Sequence, residues 1–214
     1  MPLDDLIAEQ IRYYRERAPE YDATSPEISP ATMAALERLG PVDTAIELGA
    51  GTGKVTGLLA TMARHILAVD GSPEALAINR AKHPGSDITF VAADVFAWRP
   101  DAPAGLVVFS ALLSHVPDDR FAAFWEAVDG MLARNGVVFV IDESDHGLWG
   151  EEAADDASDV VTRTLEDGRR FRIVKVLWDP GALAGLLAGL GWTASLTRQD
   201  PFFWGVVARS GERR

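Results

Sequence analysis

The sequence predicts an α/β fold in which helices pack on a mostly parallel sheet. Apolar segments typical of strands alternate with segments of helical periodicity along most of the chain. One strand-like segment, GLVVFSALL at 105–113, is apolar on both faces, as expected in the centre of a parallel sheet. A glycine-rich turn, ELGAGTGKVT at 47–56, follows the first core strand. These features favour a single domain over 1–214, which is long enough for a layered core.

The N-terminal part is predicted to be helical. One helix is expected over 3–18, and a second begins at Ser29-Pro30 and ends at Gly40-Pro41. The core elements expected after it are strand 43–48, helix 54–63, strand 65–70, a helix from Ser72-Pro73 to about Lys82, strand 87–94, strand 105–113, a helix from Pro117 to about Arg134 closed by Asn135-Gly136, and strand 136–142.

The pattern changes after residue 142. VVTRTL and RRFRIVKVLW flank Glu166-Asp167-Gly168, which predicts a β-hairpin near 159–178. We expect it either to extend the main sheet or to lie over a cleft. Asp179-Pro180 begins the last helix, and TASLTRQ and FFWGVVAR are the last two strands, which form an antiparallel edge.

Composition and charge limit the function. A net charge of −12 argues against a nucleic-acid partner, and the basic stretch GRRFRIVK at 168–175 is interpreted as a solvated strand face. The absence of cysteine excludes disulfides, thiolate nucleophiles and Cys-ligated zinc. The acidic N-terminus lacks a signal-peptide pattern, and no apolar run is long enough to cross a bilayer. We therefore expect a cytoplasmic protein without a membrane partner.

The glycine turn matches neither of two common phosphate-binding motifs. A P-loop would need glycine at the position of Leu48 and a hydroxyl residue at Val55. A dinucleotide fingerprint would need its third glycine at Lys54. Glu47, at the start of the turn, would repel a pyrophosphate but attract an ammonium group.

At these residues the sequence resembles the class I S-adenosylmethionine-dependent methyltransferases. Their first motif, acid-x-Gly-x-Gly-x-Gly, corresponds to 47–53, where the glycines let the backbone approach the methionine part of the cofactor. The resemblance covers roughly 10–210. It implies a Rossmann-like, doubly wound sheet of seven strands in the order 3-2-1-4-5-7-6 with the last strand antiparallel. It also implies N-terminal cap helices in 1–40 and a cofactor-binding core in 41–214.

Acids at later strand ends strengthen this resemblance. Asp70 ends the second strand, where the family binds the ribose hydroxyls, and Asp94 ends the third, where its carboxylate would accept from the adenine amino group. Ser110 would border the sulfonium. The residues implied at S-adenosylmethionine, or at its product S-adenosylhomocysteine, are Tyr14, Arg17, Tyr21, Glu47, Leu48, Gly49, Ala50, Gly51, Gly53, Asp70, Gly71, Ser72, Asp94, Val95 and Ser110.

His115 is the candidate catalytic base. It follows the fourth strand directly before Val116-Pro117, and an ordinary histidine pKa suits proton removal at neutral pH. The alternative is a loop histidine that braces the next helix. This candidate base is the basis for expecting O- or C-methylation of a small-molecule acceptor in preference to N-methylation.

The segment IRYYRERAPEYDA at 11–23 resembles the N-terminal cap of small-molecule methyltransferases. Tyr14, Arg17 and Tyr21 suit a lid that meets both an apolar ligand and a carboxylate. The alternative is that Tyr14 packs in the core while Arg17 pairs with Glu16 or Glu20.

The segment DESDHGLWGE at 142–151 would face the same cleft. Asp142, Glu143, Asp145 and His146 are Mg²⁺ ligand types, but Mg²⁺-dependent members of the family draw ligands from several strand ends, so no metal is expected. Trp149 is a candidate for lining an acceptor pocket.

The sequence therefore predicts an S-adenosylmethionine-dependent methyltransferase, as a monomer or homodimer. Two alternatives stay open. An NAD-dependent oxidoreductase of similar fold is opposed by the missing glycine at 54. A non-catalytic regulator that binds S-adenosylmethionine would have a closed or absent acceptor cleft.

Overall fold

The computed structural model describes residues 3–144, 152–153 and 159–211. The strands of its main sheet are β1 Val42–Leu48, β2 Ala63–Asp70, β3 Ile88–Ala92, β4 Ala104–Ser110, β5 Leu132–Glu143, β9 Trp192–Gln199 and β10 Phe202–Arg209. Their order is β3-β2-β1-β4-β5-β10-β9. β10 runs antiparallel to both β5 and β9, whereas β1 to β5 pair in parallel. The predicted fold and strand order are confirmed.

Seven α-helices and one short 3-10 helix, Leu113–His115, are described. The α-helices are α1 Leu3–Arg17, α2 Tyr21–Thr24, α3 Pro30–Glu37, α4 Thr56–Met62, α5 Pro73–Lys82, α6 Asp118–Met131 and α7 Pro180–Gly189. Ser29, Ser72 and Asp179 accept hydrogen bonds from backbone N–H groups at the starts of α3, α5 and α7, as N-caps do. Within the described ranges, no helix combines the length and the apolar character that crossing a membrane requires.

The core lies on both faces of the sheet. Val107 and Phe109 of β4 belong to a buried cluster with Trp125 of α6, while Leu106 and Val108 belong to a second cluster that includes Leu59 of α4. β4 is therefore buried on both faces, as its apolar sequence predicts. Of the aromatic run at 202–204, Phe203 is fully buried.

The junction of α6 and β5 differs from the prediction. The helix ends at Met131 and the strand already begins at Leu132. Asn135, with φ 61°, therefore lies inside β5, where the pairing of β4 and β5 shifts register. Asparagine and glycine adopt such backbone conformations at low cost, so Asn135-Gly136 forms a strand irregularity and does not end the helix.

The predicted hairpin belongs to a separate antiparallel sheet. This sheet consists of β6 Glu152–Ala153, β7 Val160–Thr164 and β8 Arg170–Val174. It packs against α1, with the rings of Tyr13 and Phe171 5.7 Å apart. Arg170 and Arg172 are exposed, which agrees with a solvated strand face, but Lys175, directly after β8, is buried. The small sheet thus sets the position of the cap helix α1.

Candidate active site

Two adjoining cavities lie at the carboxyl ends of the parallel strands, against the N-terminal helices. The space not occupied by protein is about 870 Å³ at the first cavity and about 860 Å³ at the second, including solvent at their openings. Both are lined by Tyr14, Tyr21, Ser110, Ala111 and His115, which form their common boundary. In open α/β sheets this edge is where ligands bind.

Most of the predicted cofactor residues line the first cavity. Those that do are Tyr14, Tyr21, Gly49, Gly51, Asp70, Gly71, Ser72, Asp94, Val95 and Ser110. Arg17 lines the second cavity, and Glu47, Leu48, Ala50 and Gly53 line neither. Ten of the fifteen predicted residues therefore face one cavity, and their contacts with a cofactor stay predictions. The sequence does not separate the residues that face this cavity from those that support it.

The glycines of the turn have different roles. Gly49, Gly51 and Gly53 have φ values of 65°, 50° and 93°, a region that L side chains rarely adopt. A Cβ on Gly53 would lie 2.5 Å from Asn79 Oδ1, so this glycine permits close packing. A Cβ on Gly51 would meet only the Gly49 carbonyl, at 3.9 Å. Gly51 therefore presents bare backbone to the first cavity.

Asp70 organises the floor of the first cavity. One carboxylate oxygen accepts from the Gly51 N–H at 2.8 Å and the other from the Ser72 N–H at 2.7 Å. Burial raises the pKa of Asp70, and these two hydrogen bonds oppose that effect. Each oxygen has a further lone pair that can accept from a ligand hydroxyl.

Asp94 and Val95 form the far end of the first cavity, beyond β3. Asp94 is exposed and accepts from the Phe96 N–H at 2.9 Å. Val95 is buried and Phe96 lines the same cavity. This end combines a carboxylate acceptor with an apolar wall, which suits a flat ring carrying an amino group.

The carboxyl of Glu47 faces neither cavity and forms contacts within the protein core. It is buried, and Thr56 Oγ1 donates to its carboxyl at 2.6 Å. Asn79 Nδ2 donates in turn to Thr56 Oγ1 at 2.8 Å, so the carboxyl ties β1 to α4 and α5. Burial raises the pKa of Glu47 to about 8, and the charge of Asp70 acts in the same direction.

Replacing Glu47 with glutamine is expected to remove part of the pH dependence of stability. Because the folded-state pKa is raised from 4.5 to about 8, the contribution of Glu47 is fully present below about pH 4.5 and is lost as the pH rises through about 8. Between about pH 6 and 9 the unmodified protein should lose about 2 kcal/mol more unfolding free energy than Glu47→Gln. Urea unfolding at both pH values measures this. Glu126→Gln, an exposed change on α6, should behave like the unmodified protein; equal losses in all three proteins would contradict the prediction.

Tyr14 and His115 form a hydrogen-bonded pair at the boundary of the cavities. His115 Nδ1 lies 2.7 Å from the Val174 carbonyl, which can only accept, so Nδ1 carries the proton. Nε2 therefore accepts from the Tyr14 hydroxyl at 2.6 Å. Burial and the positive charges of Lys175, Arg163 and Arg17 lower the pKa of His115 well below its usual value. The imidazole is thus neutral at neutral pH.

Ala111, at the same boundary, has an unusual backbone conformation. Its φ of 51° is unusual for a residue with a side chain. The Ala111 N–H donates to the Ile141 carbonyl at 2.8 Å, which fixes this bend at the end of β4. A conformation of this kind costs on the order of 1–3 kcal/mol and tends to occur at functional sites.

Direct hydrogen bonds connect the cap to the glycine turn. Thr52 Oγ1 donates to Asp22 at 2.6 Å, and Lys82 Nζ donates to the same carboxylate at 2.5 Å. Lys54 Nζ donates to the carbonyls of Ser25 and Pro26, both at 2.9 Å. The cap is therefore held against the glycine turn in this structure.

The second cavity is rich in charged side chains. Arg17 and Arg163 are buried in its lining, and Lys54 is partly buried. Asp142 and Glu143 come from the end of β5 and are also buried. Lys175 Nζ lies 2.7 Å from Glu143 and donates to Ser114 Oγ at 3.2 Å. Asp142 accepts from the N–H groups of Ser114 and Glu143.

The sequence does not reveal several residues of this arrangement. Lys54 belongs to the glycine turn, which is a local signal, but its cap partners are distant in sequence. Arg163 and Lys175 come from the small sheet, whose position the sequence leaves open. Asp145, His146 and Trp149 lie outside the described residues. Over the part of the chain that is described, no three acids or histidines are grouped to hold a metal ion.

Comparison with solved structures decides the family. The structure described as "DhpI-SAM-HEP complex" is 41% identical, with a TM-score of 0.85, covering 97% of this chain and 100% of that chain. The chain belongs to the class I S-adenosylmethionine-dependent methyltransferases. A second structure, "DhpI-SAH complex structure", is 38% identical with a TM-score of 0.80, covering 96% of this chain and 98% of that chain.

Sequence comparisons agree with membership of this methyltransferase family. A family model described as "Methyltransferase domain" matches residues 45–136. Trans-aconitate 2-methyltransferase of Streptomyces avermitilis is 34% identical over 119 residues. That match spans 50% of this chain and 43% of the relative, so the chain aligns with less than half of that enzyme's length.

The first cavity fits the cofactor of this methyltransferase family. S-adenosylmethionine carries ribose hydroxyls and an adenine amino group, which are donors, and the cavity offers the carboxylates of Asp70 and Asp94 as acceptors. Its methionine part needs close access to backbone, and a Cβ at Gly51 would stand in otherwise open space. The donor set and the open cradle therefore match the cofactor.

Proposed function

We propose that this chain is an enzyme that methylates an oxygen atom of a small-molecule acceptor. The observation that carries the proposal is the meeting of the two cavities. The first has the carboxylates and bare glycine backbone suited to S-adenosylmethionine, and the second has a separate lining from the cap, β5 and β7. Ser110, Ala111, Tyr14 and His115 lie between them, so ligands in the two cavities would sit side by side.

Residues of the first cavity bind and orient the cofactor. Asp70 accepts from the ribose hydroxyls, Asp94 accepts from the adenine amino group, and the Val95 N–H meets the ring. The turn at Gly49 and Gly51 gives the methionine part access to backbone. When bound, S-adenosylmethionine supplies a methyl group on a positively charged sulfur, which is already a strong electrophile. The protein therefore has mainly to align the reactants and exclude water.

The role of His115 follows from its hydrogen bonds. Nδ1 donates to Val174 and Nε2 accepts from Tyr14, so both ring nitrogens have partners. Gln10 supports the arrangement, since it contacts the His115 carbonyl at 3.4 Å and accepts from the Val174 N–H at 2.9 Å. These contacts favour His115 as a positioning residue that holds the Tyr14 hydroxyl at the boundary. Its action as a base stays a prediction, tested below.

The cap keeps water from the boundary. Its contacts from Asp22 to Thr52 and Lys82, and from Lys54 to Ser25 and Pro26, hold it against the glycine turn and α5. Movement of such a cap would admit ligands and then exclude water, as in other enzymes with lids. Tyr21 also belongs to the cap, and the Arg17 guanidinium lies 4.8 Å from the centre of its ring.

A small-molecule acceptor agrees with the second cavity's size and with the name of one relative, which specifies trans-aconitate. The net charge of −12 disfavours a nucleic-acid acceptor. The cytoplasmic location and the monomeric or homodimeric state stay predictions from the sequence.

Calorimetric titration with S-adenosylhomocysteine tests the proposed cofactor site. We expect a dissociation constant of about 1–100 μM, or roughly −8 to −5.5 kcal/mol, and no signal with NADH. NADH binding would instead favour the oxidoreductase. Cofactor binding without methyl transfer to any acceptor in a broad screen would favour the non-catalytic regulator, against which the open second cavity argues.

A further inference from the structure

We propose that the boundary between the two cavities accommodates a methyl group and excludes larger alkyl groups, and that the Cβ of Ala111 sets this limit. The proposal rests on the proposed function, since it concerns the alkyl group that a bound cofactor carries on its sulfur. The residues that line both cavities are Tyr14, Tyr21, Ser110, Ala111 and His115. An alkyl group that moves from a ligand in the first cavity to a ligand in the second passes these side chains.

Three aromatic rings of this boundary are held in place by their neighbours. The Tyr14 hydroxyl donates to His115 Nε2 at 2.6 Å, and the centroids of these two rings are 5.2 Å apart. The Tyr14 ring also packs edge-on against the rings of Tyr13, at 4.9 Å, and Tyr21, at 6.4 Å. His115 Nδ1 donates to the Val174 carbonyl at 2.7 Å. Moving Tyr14 or His115 aside for a larger group would therefore break a hydrogen bond and disturb close packing.

The other two residues of the boundary, Ser110 and Ala111, are held by the main sheet. Ser110 is the last residue of β4 and pairs with Ile141 of β5. The Ala111 N–H donates to the Ile141 carbonyl at 2.8 Å. Backbone that is fixed by β5 in this way cannot easily withdraw from a bulky ligand. The boundary is thus rigid in its side chains and in its backbone.

Ala111 carries a side chain where the backbone favours glycine. Its φ of 51° is close to the 50° of Gly51 across the first cavity. Among the described residues other than glycine, Asn135 alone shares a positive φ with Ala111, and asparagine tolerates this conformation better than alanine does. Glycine at position 111 would adopt the observed backbone at lower cost. A Cβ placed at the boundary against this preference supports a role for its volume.

A rigid boundary distinguishes alkyl groups that differ by a single carbon atom. An additional methylene in a closely packed site displaces its neighbours, and sites of this kind separate ligands that differ by one methylene about 10- to 200-fold. The bond changes are the same for either alkyl group, since the S–C bond breaks, its electron pair stays on sulfur and the carbon bonds to an electron pair of the acceptor. Binding of the cofactor already places the alkyl group at the boundary, so binding alone reports the limit.

The test compares three probes that differ only in the group on sulfur. S-adenosylhomocysteine has no transferable alkyl group, S-adenosylmethionine has a methyl group and S-adenosylethionine has an ethyl group. Calorimetric titration of the full chain measures the three affinities. We expect the unmodified protein to bind S-adenosylethionine at least about 10-fold more weakly than S-adenosylmethionine. In Ala111→Gly this ratio should fall to about threefold or less, while the affinity for S-adenosylhomocysteine stays within a few-fold.

Two further variants make the test specific to the boundary. Ser110→Ala shortens the neighbouring side chain and should also lower the ratio, though less than Ala111→Gly does. Ala102→Gly makes the same chemical change in an exposed loop between β3 and β4 that lines neither cavity, and it should keep the ratio of the unmodified protein. Thermal unfolding checks that each variant is folded, which we expect of Ala111→Gly because glycine suits its backbone.

The outcomes separate this proposal from the proposed function. If S-adenosylhomocysteine does not bind, the proposed function fails and this proposal with it. If S-adenosylhomocysteine binds, but the unmodified protein binds the ethyl and methyl cofactors equally well, the size limit alone is overturned. The role of Ala111 is likewise overturned if Ala111→Gly and Ser110→Ala both discriminate as the unmodified protein does, or if Ala102→Gly loses the discrimination too.

Discussion

Replacing Asp70 with alanine is expected to weaken the binding of S-adenosylhomocysteine by about 30- to 150-fold. The lost pair of charge-assisted hydrogen bonds to the ribose corresponds to about 2–3 kcal/mol. The structure adds a second reason, since the carboxylate also holds the N–H groups of Gly51 and Ser72 at the floor of the first cavity. Isothermal titration calorimetry on both proteins measures the change.

Asp43→Ala provides a matched control for this prediction. It also removes one carboxylate, from the start of β1, but the Asp43 side chain is 94% exposed and lines neither cavity. It should bind S-adenosylhomocysteine normally. Thermal unfolding of the ligand-free proteins shows whether Asp70→Ala is still folded, and so whether weaker binding reflects the lost contacts or an unfolded protein. A change below about twofold in affinity, in a folded Asp70→Ala protein, would exclude the ribose role.

Removal of His115 is the second large expected effect. His115→Ala should lower kcat about 10²-fold while the affinity for S-adenosylhomocysteine stays within a few-fold. If His115 acts by positioning Tyr14, then Tyr14→Phe should lower kcat by a similar factor. The double variant should be no worse than the more damaged single variant, because residues of one hydrogen-bonded unit are not additive. Single-turnover kinetics measures these effects apart from product release.

The pattern of these variants distinguishes the two roles of His115. A large loss in His115→Ala with normal turnover in Tyr14→Phe would support direct action as a base. Normal turnover in both would leave His115 as a brace for the next helix. His65→Ala, at the partly exposed contact with Asp87 between β2 and β3, should have full activity.

The sequence reveals the first cavity well because its residues follow one local rule. The glycine turn follows β1, Asp70 is the last residue of β2, and Asp94 lies two residues beyond the end of β3. The carboxyl ends of parallel strands meet at one edge of the sheet. Glu47 illustrates the limit of this rule. It is next to the turn, but side chains alternate along a strand, and the carboxyl of Glu47 points to Thr56.

The second cavity is harder to predict because it is built from distant segments. Arg163 reaches it only because the small sheet packs against α1, a contact that no local pattern encodes. Lys175 belongs to a basic stretch whose sequence indicates a solvated strand face. In the structure Lys175 is instead buried in contact with Glu143. Asn135-Gly136 likewise has the composition of a helix end, but long-range pairing of β4 with β5 places it in a strand.

The connection between the glycine turn and the cap would make the binding of the two proposed ligands thermodynamically coupled. Thr52 and Lys54 belong to the turn beside the first cavity, and they hold Asp22, Ser25 and Pro26 of the segment that closes the second. A ligand that orders the turn lowers the entropic cost of ordering the cap for the other ligand. Linkage requires this effect to be reciprocal. The factor by which bound cofactor raises the affinity for the acceptor equals the factor by which bound acceptor raises the affinity for the cofactor.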